Sequence, residues 1–210
     1  MKRKRLTHTG TSQDKTRNVA LVVETHGENV TGVRLGYGND NFSGVDSFSA
    51  AEQAALYAAF GLDAADQPAG LEPRVVNTGL PDILLPVKDR LALERAAQDE
   101  AEVTRLSRRY NAVGVHMFCL DPDGTVTARC RNFAPLYAIP EEAATGTANG
   151  ALTYYLYCRG LISPGTENRF LQGESMGKPS EVLSRLTETD AGTKIRVGGR
   201  AVLSLRCELL

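Results

Sequence analysis

Between positions 131 and 150 the chain reads RNFAPLYAIPEEAATGTANG, bringing an arginine, an acidic pair and a run of hydroxyl and glycine residues close together. Glu141 and Glu142 are followed by small residues, which lead through Thr145, Gly146 and Thr147 into the apolar segment 151–156. That order suits a loop turning into a helix. The first amides of a helix lack internal acceptors and carry the positive end of its dipole. Small residues let a carboxylate or phosphate approach them closely. A neighbouring carboxylate can serve as an acid or base if its environment tunes it. The same acids could equally be there only to suit a helix start. Thr147 could bind a ligand carboxylate, cap the helix, or do both.

Other motifs carry less chemistry. Gly173-Glu174-Ser175-Met176-Gly177 has the G-x-S-x-G form of a hydrolase nucleophile turn, which needs a strand before it, a helix after it and a later histidine. All three histidines, His8, His26 and His116, precede Ser175. Pro179 also disfavours a helix at Lys178. Gly177-Lys178-Pro179-Ser180 resembles the end of a phosphate loop, but Gly173 is one residue too close and Pro179 separates Lys from Ser. Gly36-Tyr37-Gly38 lacks the third glycine of a dinucleotide fingerprint. Asp121-Pro122-Asp123-Gly124 reads as a hairpin turn. Cys119, Cys130, Cys158 and Cys207 form no C-x-x-C pair and have no histidine at ligand spacing. They read as mostly buried thiols, and no metal is expected.

A net charge of −1 lacks the basic surplus of a nucleic-acid binder. Lys2-Arg3-Lys4-Arg5 is read as part of a solvated, disordered tail over 1–17. No apolar run approaches the roughly 18 residues of a membrane span, and none follows the N-terminal charges as in a signal peptide. A cytoplasmic protein is the default expectation.

Several elements must position the 131–150 block. Segments 19–25 and 29–35 are β-rich and predict a hairpin. Ser49 with Glu52 is a capping box for a helix reaching about Phe60, stopped by Gly61. Short apolar runs at 74–77 and 82–87 flank the turn Thr78-Gly79-Leu80-Pro81. Residues 91–108 are helix-like. Segments 113–120 and 125–133 predict two strands around the turn 122–124, and 147–159 a helix closed by Gly160. Further strands are predicted near 169–172, 181–187, 194–197 and 201–209. Many strands with three helices in irregular order indicate α+β.

The block also resembles the phenazine-biosynthesis PhzF-like family, within the diaminopimelate-epimerase fold. The carrying residues are Arg131-Asn132-Phe133-Ala134-Pro135 and then 139–150, continued by Tyr155-Leu156 and Gly160-Leu161. Weaker likeness follows at Gln172-Gly173, Met176-Gly177 and Gly198-Gly199-Arg200-Ala201-Val202, so that the match spans roughly 75–205. Glu142 and Ala143 stand where the family usually has Asp-Pro, and Thr147 where Ser is common. The resemblance implies a mixed or antiparallel sheet curled around a central helix. It also implies a cofactor-free isomerase or epimerase that moves a proton next to a carboxylate on a small metabolite. The implied binding residues are Thr145, Gly146, Thr147 and Ala148, with Thr78 and Gly79 opposite and Glu142 as acid–base or orienting group.

Family members have a first lobe with a catalytic glutamate in an S-E-T-A-F segment and a G-H-A-T segment. Neither occurs in this sequence. The resemblance therefore implies a hairpin remnant of the first lobe at 18–36 and a second lobe at 37–210, with little activity expected of this chain alone. The alternative is a non-catalytic carboxylate-binding or assembly module, with a serine hydrolase through Ser175 a distant third. No nucleic-acid or membrane partner is expected. Apolar surface left uncovered by a missing lobe predicts a homodimer or other self-association. Sedimentation of the purified chain tests this, and a highly soluble, monodisperse monomer would count against it.

Overall fold

A computed structural model of the chain describes residues 3–7, 20–26, 29–37, 46–190 and 192–200. Its sheet runs β1 (Arg3–Thr7), β2 (Ala20–His26), β3 (Asn29–Tyr37), β4 (Asp46–Ser47), β5 (Arg74–Asn77), β6 (Pro81–Pro86), β7 (Val115–Leu120), β8 (Ala128–Ala134), β9 (Ile139–Glu142), β10 (Glu167–Gln172), β11 (Ser180–Thr189) and β12 (Gly192–Arg200). In space the order is β1-β2-β3-β12-β11-β10-β8-β7-β6-β5-β4, with β9 paired to β8. Most neighbours are antiparallel, whereas β6 with β7 and β10 with β8 are parallel. Among the described residues no helix is long and apolar enough to cross a membrane.

The two parallel joins place helices on opposite faces, because each needs a crossover segment. Between β6 and β7 lie α2 (Arg90–Arg95) and α3 (Glu100–Arg109); between β9 and β10 lies α4 (Gly146–Cys158). With α1 (Ala50–Ala58), helices α2 and α3 cover one face, where Leu56, Tyr57, Phe60, Leu93, Val103 and Leu106 pack against Ile83, Leu85, Val115 and Met117. The other face curls around α4, whose Ala151, Leu152, Tyr155 and Leu156 meet Leu84, Phe118, Phe170, Leu186, Ile195 and Val197. The α+β architecture around a central helix is thus the one expected. Helix α4 is apolar on nearly every side, which suits a helix enclosed by protein rather than one with a solvent face.

Local signals explain several boundaries. Ser49 and Glu52 form the expected capping box of α1. The helix-like run 91–108 is split into α2 and α3, giving four α-helices among the described residues rather than three. Asp99 ends the break by accepting from the amides of Ala101 and Glu102 at 3.0 and 3.1 Å. The amides of Ala97 and Asp99 meanwhile bond to the carbonyls of Phe60 and Ala59 at 3.0 and 2.7 Å. Those tertiary partners have no signature in the run itself. Strand β8 begins at Ala128 rather than at Thr125, because the Asp121 carboxylate takes the amides of Thr125 and Val126 at 3.0 and 3.1 Å.

The hairpin at 19–35 is present as β2 and β3, with an irregularity between Glu24 and Thr25. It joins the main sheet through β3 and β12. Residues 3–7 pair with β2, which corrects the tail reading for that stretch: backbone pairing does not require apolar side chains, and sheet edges tolerate charge. The strand expected at 201–209 lies outside the described residues, as do Cys207 and His8. Of the other cysteines, Cys119 and Cys130 are buried, while Cys158, at the end of α4, is exposed.

Two glycines permit close approaches. A Cβ on Gly114 would lie 2.1 Å from the Phe133 carbonyl oxygen, so only glycine lets β7 and β8 meet there. Gly173 has φ +83°, and a Cβ on it would lie 2.4 Å from the Lys178 carbonyl and 2.9 Å from that of Ala143. The second contact sets the turn after β10 against the loop entering α4.

The central position of α4 has a measurable consequence. Leu152 is fully buried between helix and sheet, so Leu152→Ala should cost about 2–5 kcal/mol in chemical denaturation. A loss under about 1 kcal/mol would contradict this packing.

Candidate active site

Helix α4 starts where three sheet segments converge. β9 pairs with β8 so that Glu142 lies opposite Asn132. The chain then crosses at 143–144 to Thr145, the residue that caps α4. Thr145 makes no side-chain cap. Its hydroxyl instead donates to the Glu142 carboxylate and accepts from Gln172 Nε2 at 3.0 Å.

Gln172, the last residue of β10, ties the entry together. Its Nε2 also donates to the Glu142 carbonyl at 2.7 Å. Its Oε1 accepts from the Thr145 amide at 3.2 Å and from Asn149 Nδ2 at 2.9 Å. Asn149 Nδ2 donates as well to the Thr145 carbonyl at 2.8 Å. Gln172 and Asn149 are fully buried. Leaving any one buried partner unpaired costs about 1–3 kcal/mol, so the network holds the loop in one shape.

The amides of Gly146, Thr147 and Ala148 form the first turn beyond this cap. None of them has an acceptor among the described residues. Thr147 does not cap the helix. Its carbonyl accepts from Thr78 Oγ1 at 3.2 Å, while its own half-buried hydroxyl has no partner among the described residues. Thr78 is therefore brought against α4 with its hydroxyl already engaged. The Gly79 amide donates to Asn77 Oδ1 at 2.8 Å, so the Thr78-Gly79 pair shapes this wall through the turn that it forms.

The acidic pair divides by strand alternation. Glu142 faces the helix start. Glu141 points to the other side of β9, where Arg131 grips it with two bonds of 2.9 Å and the Ser175 hydroxyl donates to it. Burial works to raise the Glu141 carboxyl, but Arg131 and Ser175 outweigh it and hold it below its ordinary value. Arg131 also donates to the carbonyls of Leu93 and Ala96 at 3.0 and 2.6 Å, which ties α2 to β8. Glu141 is thus a structural carboxylate, whereas Glu142 bonds to the Thr145 hydroxyl and has no ion-pair partner among the described residues.

Three polar residues that the sequence reading did not place in the site, His116, Asn132 and Asp82, are buried in the sheet beneath. His116 Nδ1 lies 3.0 Å from Asn132 Oδ1, and its Nε2 has no hydrogen-bond partner among the described residues. Complete burial lowers its pKa to about 4, so the ring stays neutral at pH 7. Asp82, on β6, is 3% exposed, and its carboxyl is raised to about 7 by burial and by the charge of Glu142. The available signal for Asp82 was a lone acid inside an apolar strand run.

The G-x-S-x-G segment forms a 3-10 turn, Glu174–Met176, between β10 and β11. A strand follows it where a nucleophile turn needs a helix, and Ser175 bonds to Glu141, with no histidine bonded to it among the described residues. That geometry removes the hydrolase reading.

Comparison with known proteins agrees with this architecture. The family model described as phenazine biosynthesis-like protein, PhzC-PhzF, matches residues 40–206, starting earlier than the likeness read at 75–205. A protein of Deinococcus radiodurans named as an uncharacterized isomerase is 34% identical over 141 residues, which is 64% of this chain and 44% of that one. The trans-2,3-dihydro-3-hydroxyanthranilate isomerase of Pseudomonas chlororaphis is 39% identical over 75 residues, covering 35% of this chain and 27% of the relative. Among solved structures, the "predicted epimerase" of Pseudomonas aeruginosa superposes with a TM-score of 0.70 at 29% identity, covering 97% of this chain and 68% of that one. A PhzF-family protein of Bacillus anthracis shares the fold with a TM-score of 0.71 at 22% identity, over 88% of this chain and 62% of that one. The chain spans 44% of the length of the Deinococcus relative and 54% of an uncharacterized isomerase of Escherichia coli. With the family model covering most of its residues, the chain belongs to the PhzC-PhzF, phenazine biosynthesis-like protein family.

Proposed function

We propose that this chain carries one wall of an isomerase or epimerase site that moves a proton on a small carboxylate-bearing metabolite without a cofactor. One observation carries the reading: a half-buried carboxylate, Glu142, stands beside a helix start whose amides and Thr147 hydroxyl have no partners among the described residues. The names of the Deinococcus and Pseudomonas relatives, all isomerases, support it.

In this reading the substrate carboxylate sits on the amides of Gly146, Thr147 and Ala148 and takes a hydrogen bond from Thr147. Glu142, oriented by the Thr145 hydroxyl, accepts a proton from a substrate carbon. The positive end of α4 offsets the negative charge that develops as the C–H bond breaks. A donor then returns a proton at the same carbon or elsewhere. Gln172 and Asn149 act by holding the cradle rather than by touching substrate.

A second reading draws on the length comparison. A chain spanning about half of its curated relatives could bind the same carboxylates without turnover, as a binding or assembly module.

Deuterium exchange separates the two. Incubation in heavy water with trans-2,3-dihydro-3-hydroxyanthranilate, the compound for which the Pseudomonas relatives are named, should place deuterium on substrate carbon. Glu142→Gln should slow this by about 100-fold or more. Binding with no exchange would select the module. Thr147→Val should weaken carboxylate binding by about tenfold, the worth of one hydrogen bond to a charged group. An unchanged affinity would remove Thr147 from the site.

A further inference from the structure

Asp82 is the second residue of β6, in a strand otherwise free of charge. Strand alternation sets its direction. Ile83 and Leu85 pack among α1, α2 and α3, whereas Leu84 packs against α4, so Asp82 shares the face of Leu84. It lies at the end of β6 nearest the turn at 78–80, and the Thr78 hydroxyl of that turn is bonded to the Thr147 carbonyl at 3.2 Å. The carboxyl is therefore beside the first turn of α4.

Its partners set it apart from the other buried acid. Asp66 is 1% exposed but has Lys88 at 3.2 Å and Arg95 in contact. Asp82 has neither a hydrogen bond nor an ion pair among the described residues, and the charge that reaches it is that of Glu142. His116, on the same face of the neighbouring β7, is neutral. A buried acid without a cation or donor favours its protonated form, because removing the charge avoids the desolvation cost. Burial first, and Glu142 second, raise this carboxyl to about 7.

We propose that Asp82 is the acid group of this site: it donates a hydrogen bond to a carboxylate ligand on the first turn of α4 and, in turnover, supplies the proton to carbon. The inference rests on the anion site proposed above. The proton count closes. Glu142 takes a proton as one substrate C–H bond breaks, and that electron pair moves along the substrate to the carbon that forms the new C–H bond. The proton of that bond comes from Asp82, whose O–H electrons stay behind as a carboxylate. Glu142 ends protonated and Asp82 ionised, and exchange with water restores both.

Infrared spectroscopy of the full chain against pH, with benzoate titrations by calorimetry, tests the proposal. The wild type should show a protonated-carboxyl band that disappears as pH rises through about 7, the value to which burial and the charge of Glu142 raise it. The band should shift on labelling with 13C-aspartate and be missing from Asp82→Asn. Glu142→Gln should move its loss to lower pH, since a neighbouring negative charge is gone. Benzoate affinity should fall about tenfold between pH 6 and pH 8 in the wild type and stay flat in Asp82→Asn. A band that is absent, insensitive to aspartate labelling or retained in Asp82→Asn overturns the proposal. Equal pH dependence of benzoate binding in both proteins overturns it too, while leaving the anion site standing. No benzoate binding at any pH, with the band present, overturns the anion-site reading and with it the ligand role of Asp82.

Discussion

Enclosing α4 within the curled sheet is the constraint from which the site follows. A helix surrounded by protein cannot leave the loop that enters it to bulk water, so that loop must be tied down from within the fold. Here the carboxamides of Gln172 and Asn149 occupy the cap region, bonding Thr145 and the Glu142 carbonyl at 2.7–3.2 Å. They satisfy the backbone just before the helix. They do not reach the amides of the first turn. What is left is a rigid rim with a small set of directed donors, the arrangement that an anion site requires.

The same enclosure sorts the charged residues. Glu141 and Glu142 are adjacent in sequence, yet strand alternation sends them to opposite sides of β9. On one side a guanidinium neutralises the carboxylate and uses it to clamp α2 to the sheet. On the other the carboxylate faces the helix start. The interior beneath it holds His116 without charge and Asp82 without a cation. Two neighbouring carboxyls of unequal burial and unequal partners are the usual physical basis for giving one the role of base and the other that of acid. Family membership assigns no residue a role, while these local differences distinguish residues that the sequence pattern treats alike.

Much of this was legible in the chain. Short-range signals held: the Ser49–Glu52 capping box, the positive-φ Gly160 after α4 and the start of a helix within the 141–150 block. These depend on residues a few positions apart, where backbone sterics and capping act directly. The split between α2 and α3 was not legible, because it is stabilised by carbonyls of Ala59 and Phe60 far back in the chain. Nor was the withdrawal of Glu141, which needed Arg131 and Ser175, ten residues upstream and thirty-four downstream.

By itself the sequence determined the family, the α+β composition and the small-residue entry at 141–150 with its hydroxyls and acids. The family follows from a resemblance carried by the 131–150 block, and the rest from residue types and local spacing. Tertiary structure decided which of two glutamates faces the helix, that Thr145 rather than Thr147 stands at the cap, and that Asp82 is buried on the face of β6 turned toward α4. Each of those outcomes depends on which strand face a side chain occupies and on what long-range pairing brings against it. Burial and charge, which settle a carboxyl's chemistry, exist only once the sheet has closed around α4.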